Sequence, residues 1–324
     1  MSELRWHPLL GEWVATATHR QDRTVFPPDG YCPLCPTAAG GFPTEVPAPG
    51  YDLVVFENKF PSLQRQPPPP SVAGSPLEPV APARGACEVV LYTPDHHATL
   101  AEATVERIEH LVRVWRDRTR ELGARDDVVH VFPFENKGAQ IGVTLDHPHG
   151  QIYAYPFVPP VVAAEIAQAA SHRAETGRCL FCEVRDREVD DGRRMLAHED
   201  GWVAYVPFFA RYPYETHLVA TRCVRALPDL NRREVRGLAL LLKRILTGFD
   251  GLFARSFPYV MAVHQGPSKG DAPYHLHLEF YPPLRSATRM KYLAGSESGA
   301  GMFINDTLAE ETAAQLRAEI PVSA

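Results

Sequence analysis

The sequence predicts an α+β protein made of two similar halves, each an antiparallel sheet with helices. Three observations predict this class. A Cys-x-x-Cys pair occurs twice, at 32–35 and at 179–182. A His-x-His stretch also occurs twice, at 147–149 and at 275–277. Between these motifs, strand-like and helix-like stretches follow one another in the same order in both halves, which indicates an internal duplication.

The first half is expected to reach its His-x-His stretch after one long helix. Apolar residues from Val105 to Trp115 recur at helical spacing, which predicts a helix over about 101–122. Residues 66–84 are rich in Pro, Ala and Ser, so we expect an exposed, partly mobile loop that packs no core. The strands predicted for this half are 12–18, 53–60, 88–92 and 128–134.

The second half repeats this order. A helix is predicted over 231–252, with Asp229 or Asn231 as its N-cap. The domain boundary that we expect separates residues 1–165 from residues 166–324. The strands predicted for this half are 202–209, 215–223, 259–264 and 275–282.

Residue spacings test the duplication. His147 follows His96 by 51 residues, and His275 follows Cys223 by 52. The interval from the Cys-x-x-Cys pair to the next matched position is 61 residues in the first half and 41 in the second. The additional 20 residues of the first half are about the length of the Pro-rich segment, so the halves differ where composition predicts a loop.

Composition excludes several classes of function. A net charge of −6 and a pI near 6.2 argue against general binding to nucleic acid or to an anionic membrane. The N-terminus lacks the apolar core of a signal peptide, and no apolar run approaches membrane-spanning length. We therefore expect a cytoplasmic protein, and in that reducing compartment closely spaced cysteines indicate metal ligation before disulfides.

The duplication assigns two metal sites, because it pairs the same ligand positions in both halves. Each half then offers four ligands suited to tetrahedral zinc in a closed, structural site. His97 is a rival ligand to His96, but the matched spacing favours His96. The two expected zinc sites are Cys32, Cys35, His96 and His147 in the first half, and Cys179, Cys182, Cys223 and His275 in the second.

The stretch 147–151, His-Pro-His-Gly-Gln, is the centre of the expected active site. On a strand, His147, His149 and Gln151 point to the same side. If His147 binds a metal, His149 remains free, and a neutral imidazole is a good nucleophile near pH 7.

These motifs resemble the galactose-1-phosphate uridylyltransferase family of the histidine-triad superfamily, over nearly the whole chain. The resemblance implies two histidine-triad-like halves, a homodimer, and UDP-glucose, UDP-galactose and hexose 1-phosphates as substrates. The carriers of the resemblance are residues 19–23 (HRQDR), 32–35 (CPLC), 94–96 (PDH), 134–138 (FENKG), 147–151 (HPHGQ), 280–286 (FYPPLRS) and 291–297.

The family reaction exchanges UDP-glucose and galactose 1-phosphate for glucose 1-phosphate and UDP-galactose through a uridylyl-histidine. Carried onto this chain, it makes His149 the nucleophile. Gln151 stands where histidine-triad hydrolases carry a third histidine, and an amide can bind phosphate oxygens without donating a titratable proton. The substrate-binding residues that the resemblance implies are Arg20 and Arg23 at the phosphates, from the same or the neighbouring subunit, Asn58 and Asn136 at the nucleotide, Gly142 and Thr144 near the phosphates, and Lys291 and Glu297 at the hexose or its phosphate.

Some residues depart from the family pattern and leave alternatives open. The run 143–146 replaces a more polar stretch, and Phe303 lies near the usual position of a sugar-contacting glutamine. Many relatives hold the second metal with one glutamate and three histidines. The alternative functions are a related adenylyl-transferring sugar-nucleotide phosphorylase or dinucleoside polyphosphate phosphorylase, and a zinc-stabilised nucleotide-binding protein without turnover. The residues of this chain near the other metal position are Glu165, His264, His277 and Glu279.

Overall fold

The computed structural model of the chain describes residues 2–22, 27–28 and 30–322. Its strands form two antiparallel sheets, a small one of three strands and a large one of nine. The strands are β1 Ser2–His7, β2 Glu12–Ala17, β3 Val54–Glu57, β4 Val80–Pro82, β5 Ala86–Leu91, β6 His130–Lys137, β7 His149–Tyr155, β8 Met195–Glu199, β9 Trp202–Tyr205, β10 Thr216–Ala220, β11 Tyr259–His264 and β12 His277–Tyr281.

The large sheet displays the duplication directly. Its strand order is β3-β5-β7-β6-β11-β12-β10-β9-β8, so each half supplies four strands in the same relative order, and β8 extends the second half. At the junction of β6 and β11, Phe134 pairs with Ala262, its own counterpart in the repeat. The predicted α+β class with two duplicated halves is confirmed. We expected a separate sheet in each half. In the structure, the two are joined edge to edge into a single sheet.

Five α-helices accompany the sheets in the described part of the chain, and two of them were predicted. Thr104 caps α1 by accepting a hydrogen bond from the Arg107 backbone N–H at 3.2 Å. Asn231 caps α4, and Glu234 accepts a hydrogen bond from the Asn231 backbone N–H at 2.9 Å, which completes a capping box. The helices are α1 Val105–Gly123, α2 Pro160–Thr176, α3 Leu180–Asp191, α4 Arg232–Leu252 and α5 Ala309–Glu319.

The main core lies between the large sheet and helices α1, α4 and α5. Trp115 of α1 and Phe249 of α4 are buried there, together with Ile152 of β7 and Phe280 of β12. Strand residues alternate between the two faces of a sheet. The odd-numbered positions of β7, from His149 to Tyr155, therefore face away from this core.

The expectation for residues 66–84 was wrong in part. Most of the segment is exposed, but residues 80–82 form β4, which pairs with β1, and Ala83 is fully buried. Proline is compatible with such an edge strand because it need not donate a ladder hydrogen bond there. Within the described residues, no helix combines the length and the apolar character that a membrane span requires.

Candidate active site

A cavity of about 290 Å³ opens on the face of the sheet that the main core leaves uncovered. Strands β3, β5, β6 and β7 form its floor, where Phe56, Val89, Phe134 and Tyr153 are exposed to it. The loop around the first Cys-x-x-Cys pair and the loop 142–145 form its walls. His149 and Gln151 lie side by side in this cavity, as the alternation of strand residues requires.

His149 is oriented by the backbone of its own strand. Its Nδ1 lies 2.8 Å from the carbonyl oxygen of His147, so Nδ1 carries the proton and donates it to that carbonyl. The lone pair is consequently on Nε2. Burial lowers the pKa of His149, which keeps the imidazole neutral at pH 7. This arrangement presents a nitrogen nucleophile to the cavity.

Gln151 lies next to His149 and is held by an amide contact. The Asn58 side chain donates a hydrogen bond from Nδ2 to Oε1 of Gln151 at 3.3 Å. Asn58 is itself fixed because its Oδ1 accepts a hydrogen bond from the Phe60 backbone N–H at 2.9 Å. The Nε2 group of Gln151 is left to donate toward a ligand in the cavity. Asn136, from β6, lines the same cavity.

Gly142, Thr144 and Arg20 also line the cavity. Gly142 has φ +80°, a left-handed conformation that strains any residue with a Cβ, so the turn before His149 favours glycine there. Arg20 donates a hydrogen bond from Nη1 to the Phe60 carbonyl oxygen at 2.8 Å, and this contact directs its guanidinium to the cavity. Arg23 lies outside the described residues.

The structure brings the first set of predicted metal ligands together behind the cavity wall. Ligand atoms of Cys32, Cys35, His96 and His147 all lie within 4.8 Å of one another. His147 directs Nδ1 to the Cys35 sulfur at 3.5 Å, and its Nε2–H donates to the Thr93 carbonyl oxygen at 2.8 Å. A carbonyl partner of this kind fixes the tautomer of a metal-binding histidine. Burial, and then repulsion by Cys32, raise the pKa of Cys35 to about 11, a setting in which a cation would stabilise the thiolates.

The second predicted set converges in the same way. Ligand atoms of Cys179, Cys182, Cys223 and His275 lie within 4.8 Å of one another. His275 directs Nδ1 to the Cys182 sulfur at 3.3 Å and donates from Nε2 to the Ala220 carbonyl oxygen at 2.8 Å. This geometry repeats that of His147. Both donor sets therefore fit a tetrahedral zinc ion with thiolate and imidazole ligands.

The alternative residues for a second metal form a separate cluster. Glu165, His264, His277 and Glu279 also lie within 4.8 Å of one another, so the two candidate sets occur together in this chain. His277 is the repeat counterpart of His149, and its Nδ1 donates to the His275 carbonyl oxygen at 2.9 Å. Its Nε2, however, faces Glu279 at 3.3 Å and Glu165 at 3.7 Å. Despite burial, which opposes it, these carboxylates raise the pKa of His277 to about 10, so His277 offers no free lone pair.

Two family models together match nearly the whole chain. The model described as "Galactose-1-phosphate uridyl transferase, N-terminal domain" matches residues 1–159, and the model of the C-terminal domain matches residues 165–323. The chain belongs to the galactose-1-phosphate uridylyltransferase family. It is accordingly a nucleotidyltransferase, and the uridylyl-transfer function expected from its motifs is confirmed.

Individual relatives agree with this membership. The chain is 40% identical over 320 residues to the galactose-1-phosphate uridylyltransferase of Thermotoga maritima, covering 98% of each chain. The enzyme of Rattus norvegicus is 36% identical over 334 residues, which cover 97% of this chain and 86% of that protein. A solved uridylyltransferase structure superposes with a TM-score of 0.87 at 33% identity, covering 98% of each chain. An Arabidopsis thaliana ADP-glucose phosphorylase with bound ADP-glucose shares the fold, with a TM-score of 0.74 at 24% identity over 100% of both chains.

Two of the residues that the family resemblance implies lie elsewhere. Lys291 and Glu297 form a buried ion pair at 2.9 Å and do not line the cavity of their own chain. Lys291 also donates a hydrogen bond to the Ile304 carbonyl oxygen. This pair fixes the C-terminal segment 291–304 as a structured loop.

Sequence reasoning missed several residues of this cavity. The most notable are Lys59 and Glu45, an ion pair at 3.0 Å at the cavity margin. One signal was available, because Phe-Glu-Asn-Lys occurs at both 56–59 and 134–137, and Asn58 and Asn136 both line the cavity. No comparable signal pointed to Tyr31 or Leu34, since they reach the cavity through the fold of the loop around the first Cys-x-x-Cys pair.

Proposed function

We propose that this chain catalyses uridylyl exchange between UDP-glucose and galactose 1-phosphate by a ping-pong mechanism, with His149 as the nucleophile. The observation that carries the proposal is the hydrogen bond from His149 Nδ1 to the His147 carbonyl oxygen at 2.8 Å. It leaves Nε2 unprotonated inside a cavity lined by phosphate-binding side chains. Of the two repeat-related histidines, only His149 has an Nε2 that is free of a carboxylate partner, because Nε2 of His277 faces two carboxylates.

In the first step, His149 Nε2 attacks the α-phosphorus of UDP-glucose. A P–N bond forms, the P–O bond to the glucose 1-phosphate group breaks, and glucose 1-phosphate leaves with the electron pair. In the second step, a phosphate oxygen of galactose 1-phosphate attacks the same phosphorus. The P–N bond then breaks, UDP-galactose leaves, and neutral His149 is restored. The His147 carbonyl oxygen accepts a hydrogen bond from His149 Nδ1–H throughout and stabilises the cationic imidazole of the intermediate.

The cavity provides separate environments for the two parts of the nucleotide. Arg20 and the Gln151 amide offer donors to the phosphate oxygens, and Gly142 leaves room for a close approach. Phe56 and Phe134 offer flat apolar surfaces of the kind on which a base stacks. Asn58 and Asn136 can read the polar edge of the nucleotide.

We propose zinc at both cysteine-containing clusters. Four protein ligands leave no open position, so zinc there would supply structural rigidity. In the first cluster it would anchor His147, two residues before the nucleophile, and the loop that carries Leu34 into the cavity. Thiolates of this kind persist in a reducing compartment, which supports a cytoplasmic location.

We also propose that the active form is a homodimer in which Lys291 and Glu297 complete the cavity of the partner subunit. They cannot serve their own cavity in the observed fold. Their segment exposes large apolar side chains, which indicate a protein interface when they cluster. The exposed fractions are 73% for Tyr292, 52% for Leu293, 66% for Met302 and 53% for Ile304.

The test is to incubate the native protein with UDP-glucose or ADP-glucose labelled in the α-phosphate. We expect the uracil nucleotide to form an acid-labile, base-stable adduct, and peptide mapping to place it at His149 and not at His277. Labelling by ADP-glucose alone would instead support the adenylyl-transferring alternative. If neither nucleotide labels the protein, His149 is not a nucleophile and the chain only binds nucleotides.

A further inference from the structure

Directly behind the nucleophile, on the core side of the sheet, lies a buried polar group that the proposed mechanism does not use. Glu135 of β6 is 4% exposed and pairs in register with Gly150, the residue after the nucleophile. Its Oε2 accepts a hydrogen bond from the Tyr259 hydroxyl at 3.2 Å. Tyr92, which follows β5, is 1% exposed, and its hydroxyl has no hydrogen-bond partner among the described residues.

Tyr92 fills the space beside Gly150. A Cβ on Gly150 would lie 2.1 Å from the Tyr92 hydroxyl oxygen and 3.0 Å from the Phe134 carbonyl oxygen. The phenol therefore packs directly against the backbone of β7. Tyr92 also precedes Thr93, whose carbonyl oxygen holds His147. The phenol thus supports the nucleophile strand one residue beyond His149.

The charge of Glu135 is poorly accommodated in this place. Burial raises its pKa to about 7, although Lys137 opposes the shift. Lys137 is itself paired with Asp250 of α4 at 3.0 Å. A carboxyl group without a close cation is costly in a core, so a purely structural role would be served better by a hydrocarbon side chain.

The second half supplies the internal comparison. Register identifies the counterparts, since Leu91 pairs with His149 as Val219 pairs with His277, and Glu135 pairs with Gly150 as Val263 pairs with Leu278. The counterparts of Glu135, Gly150 and Tyr92 are therefore Val263, Leu278 and Ala220, all apolar and all fully buried. The fold therefore does not require polar residues at these positions. Of the two repeat-related positions, only the one behind His149 carries a carboxyl group.

We propose that Glu135 is a positioning residue for the nucleophile: Tyr259 holds its carboxyl group by a hydrogen bond, its backbone pairs with Gly150, and this support, together with the Tyr92 phenol packed against Gly150, keeps His149 Nε2 aimed at the phosphorus. The proposal rests on His149 being the nucleophile. A displacement of about 1 Å at a reacting group costs on the order of 100-fold in rate, so modest support by this group has a measurable effect.

The test compares Glu135→Leu with Glu135→Gln in the first half-reaction, measured as the rate of adduct formation from labelled UDP-glucose. For Glu135→Leu we expect the rate constant to fall by about 10- to 100-fold while the dissociation constant of UDP-glucose changes less than about 3-fold. Glutamine keeps an acceptor for the Tyr259 hydroxyl, so Glu135→Gln should retain a rate within about 3-fold of the native protein. Val263→Ala, at the mirror position, is the control and should leave the rate unchanged.

The proposal is overturned by a native rate in Glu135→Leu, by a loss confined to UDP-glucose affinity, or by a loss in Glu135→Gln as large as that in Glu135→Leu. An equal loss in Val263→Ala would also overturn it, because it would show that any disturbance of the core slows the reaction. Failure of the native protein to label His149 is a different result and contradicts the proposed function itself.

Discussion

At the scale of single residues, the proposed preference for transfer over hydrolysis depends on Gln151. Its Oε1 accepts the Asn58 hydrogen bond at 3.3 Å, so its Nε2 can only donate to the substrate. An amide cannot donate a titratable proton to a leaving group, and it cannot accept a proton from water. The uridylyl-histidine should therefore persist until a hexose phosphate arrives.

Replacing Gln151 by histidine should accelerate loss of the adduct to water, because an imidazole beside the phosphorus can act as a general base. The measurement is the decay of isolated, labelled protein in the absence of hexose phosphate. Glu279→His, which introduces histidine at the mirror position, is the control and should not alter the decay. An unchanged decay rate in Gln151→His would contradict this role of the amide.

Single residues also show where sequence patterns were sufficient. Strand alternation placed His147, His149 and Gln151 on one side without any structure, because the period of a strand is two residues. The cavity lining by Tyr31 and Leu34 could not be anticipated, since it depends on how the loop around the first Cys-x-x-Cys pair folds over the sheet. Lys59 was hidden for the same reason, despite the repeated Phe-Glu-Asn-Lys sequence.

At the scale of secondary-structure elements, the support of β7 by β6 has a consequence for stability. Burial raises the pKa of Glu135 from 4.5 to about 7, and Lys137, which opposes the shift, is itself paired with Asp250. An acid with a raised pKa in the folded state weakens folding as pH rises above its unfolded pKa, and the loss is complete above its folded pKa. The full loss corresponds to about 3 kcal/mol, since one pKa unit is about 1.4 kcal/mol.

Glu135→Gln should therefore gain unfolding free energy relative to the native protein as pH rises. We expect the difference between the two proteins to widen by about 2 kcal/mol from about pH 5 to about pH 8, measured by urea unfolding at each pH. Effects of pH on other groups are shared by both proteins and cancel. A difference that does not change with pH would mean that Glu135 is as easily ionised as an exposed carboxyl group.

The two cysteine clusters join different elements, so their loss should have different effects. Cys35→Ser and Cys182→Ser should each lower the bound zinc by about one ion per chain, measured by elemental analysis. Cys35→Ser should also reduce the rate of adduct formation strongly, because His147 directly precedes the nucleophile region. Cys182→Ser should mainly lower the melting temperature. Equal rate losses in both variants would contradict a local role for the first cluster.

Element positions were predictable where apolar spacing was strong. The expected helix at 231–252 is observed as Arg232–Leu252, with the predicted Asn231 cap. Helix α2 was missed because its hydrophobic residues make no clear stripe and only Val162 and Ala169 are buried. Strand β4 was missed because a Pro-rich sequence alone does not show that β1 offers it a partner.

At the scale of the whole molecule, the position of Lys291 and Glu297 outside their own cavity leads to a complementation test. A variant lacking His149 and a variant lacking Lys291 should each be inactive alone. If the partner subunit completes each cavity, refolding the two together at equal amounts should restore up to about a quarter of the native sites, because half of the dimers are mixed and each mixed dimer holds one intact site.

The control for this test is a mixture of His149→Ala with Gln151→Ala. Both changes lie in the same cavity, yet a mixed dimer could not assemble an intact site from them. Restoration in neither mixture would contradict a shared cavity, and it would leave Lys291 a structural role in its own segment.

The duplication that underlies the molecule could be derived from spacing alone, but the joining of both halves into one sheet could not, because no motif marks the β6–β11 contact.

That contact, in which Phe134 pairs with its own counterpart Ala262, has an implication for the history of the chain. Self-complementary edges of this kind are what a symmetric dimer of a single-half ancestor would use. Once both copies were covalently linked, selection could preserve one catalytic histidine and release the other. The cluster around His277 is then released from this constraint, so new binding chemistry can evolve there while the first half retains its activity.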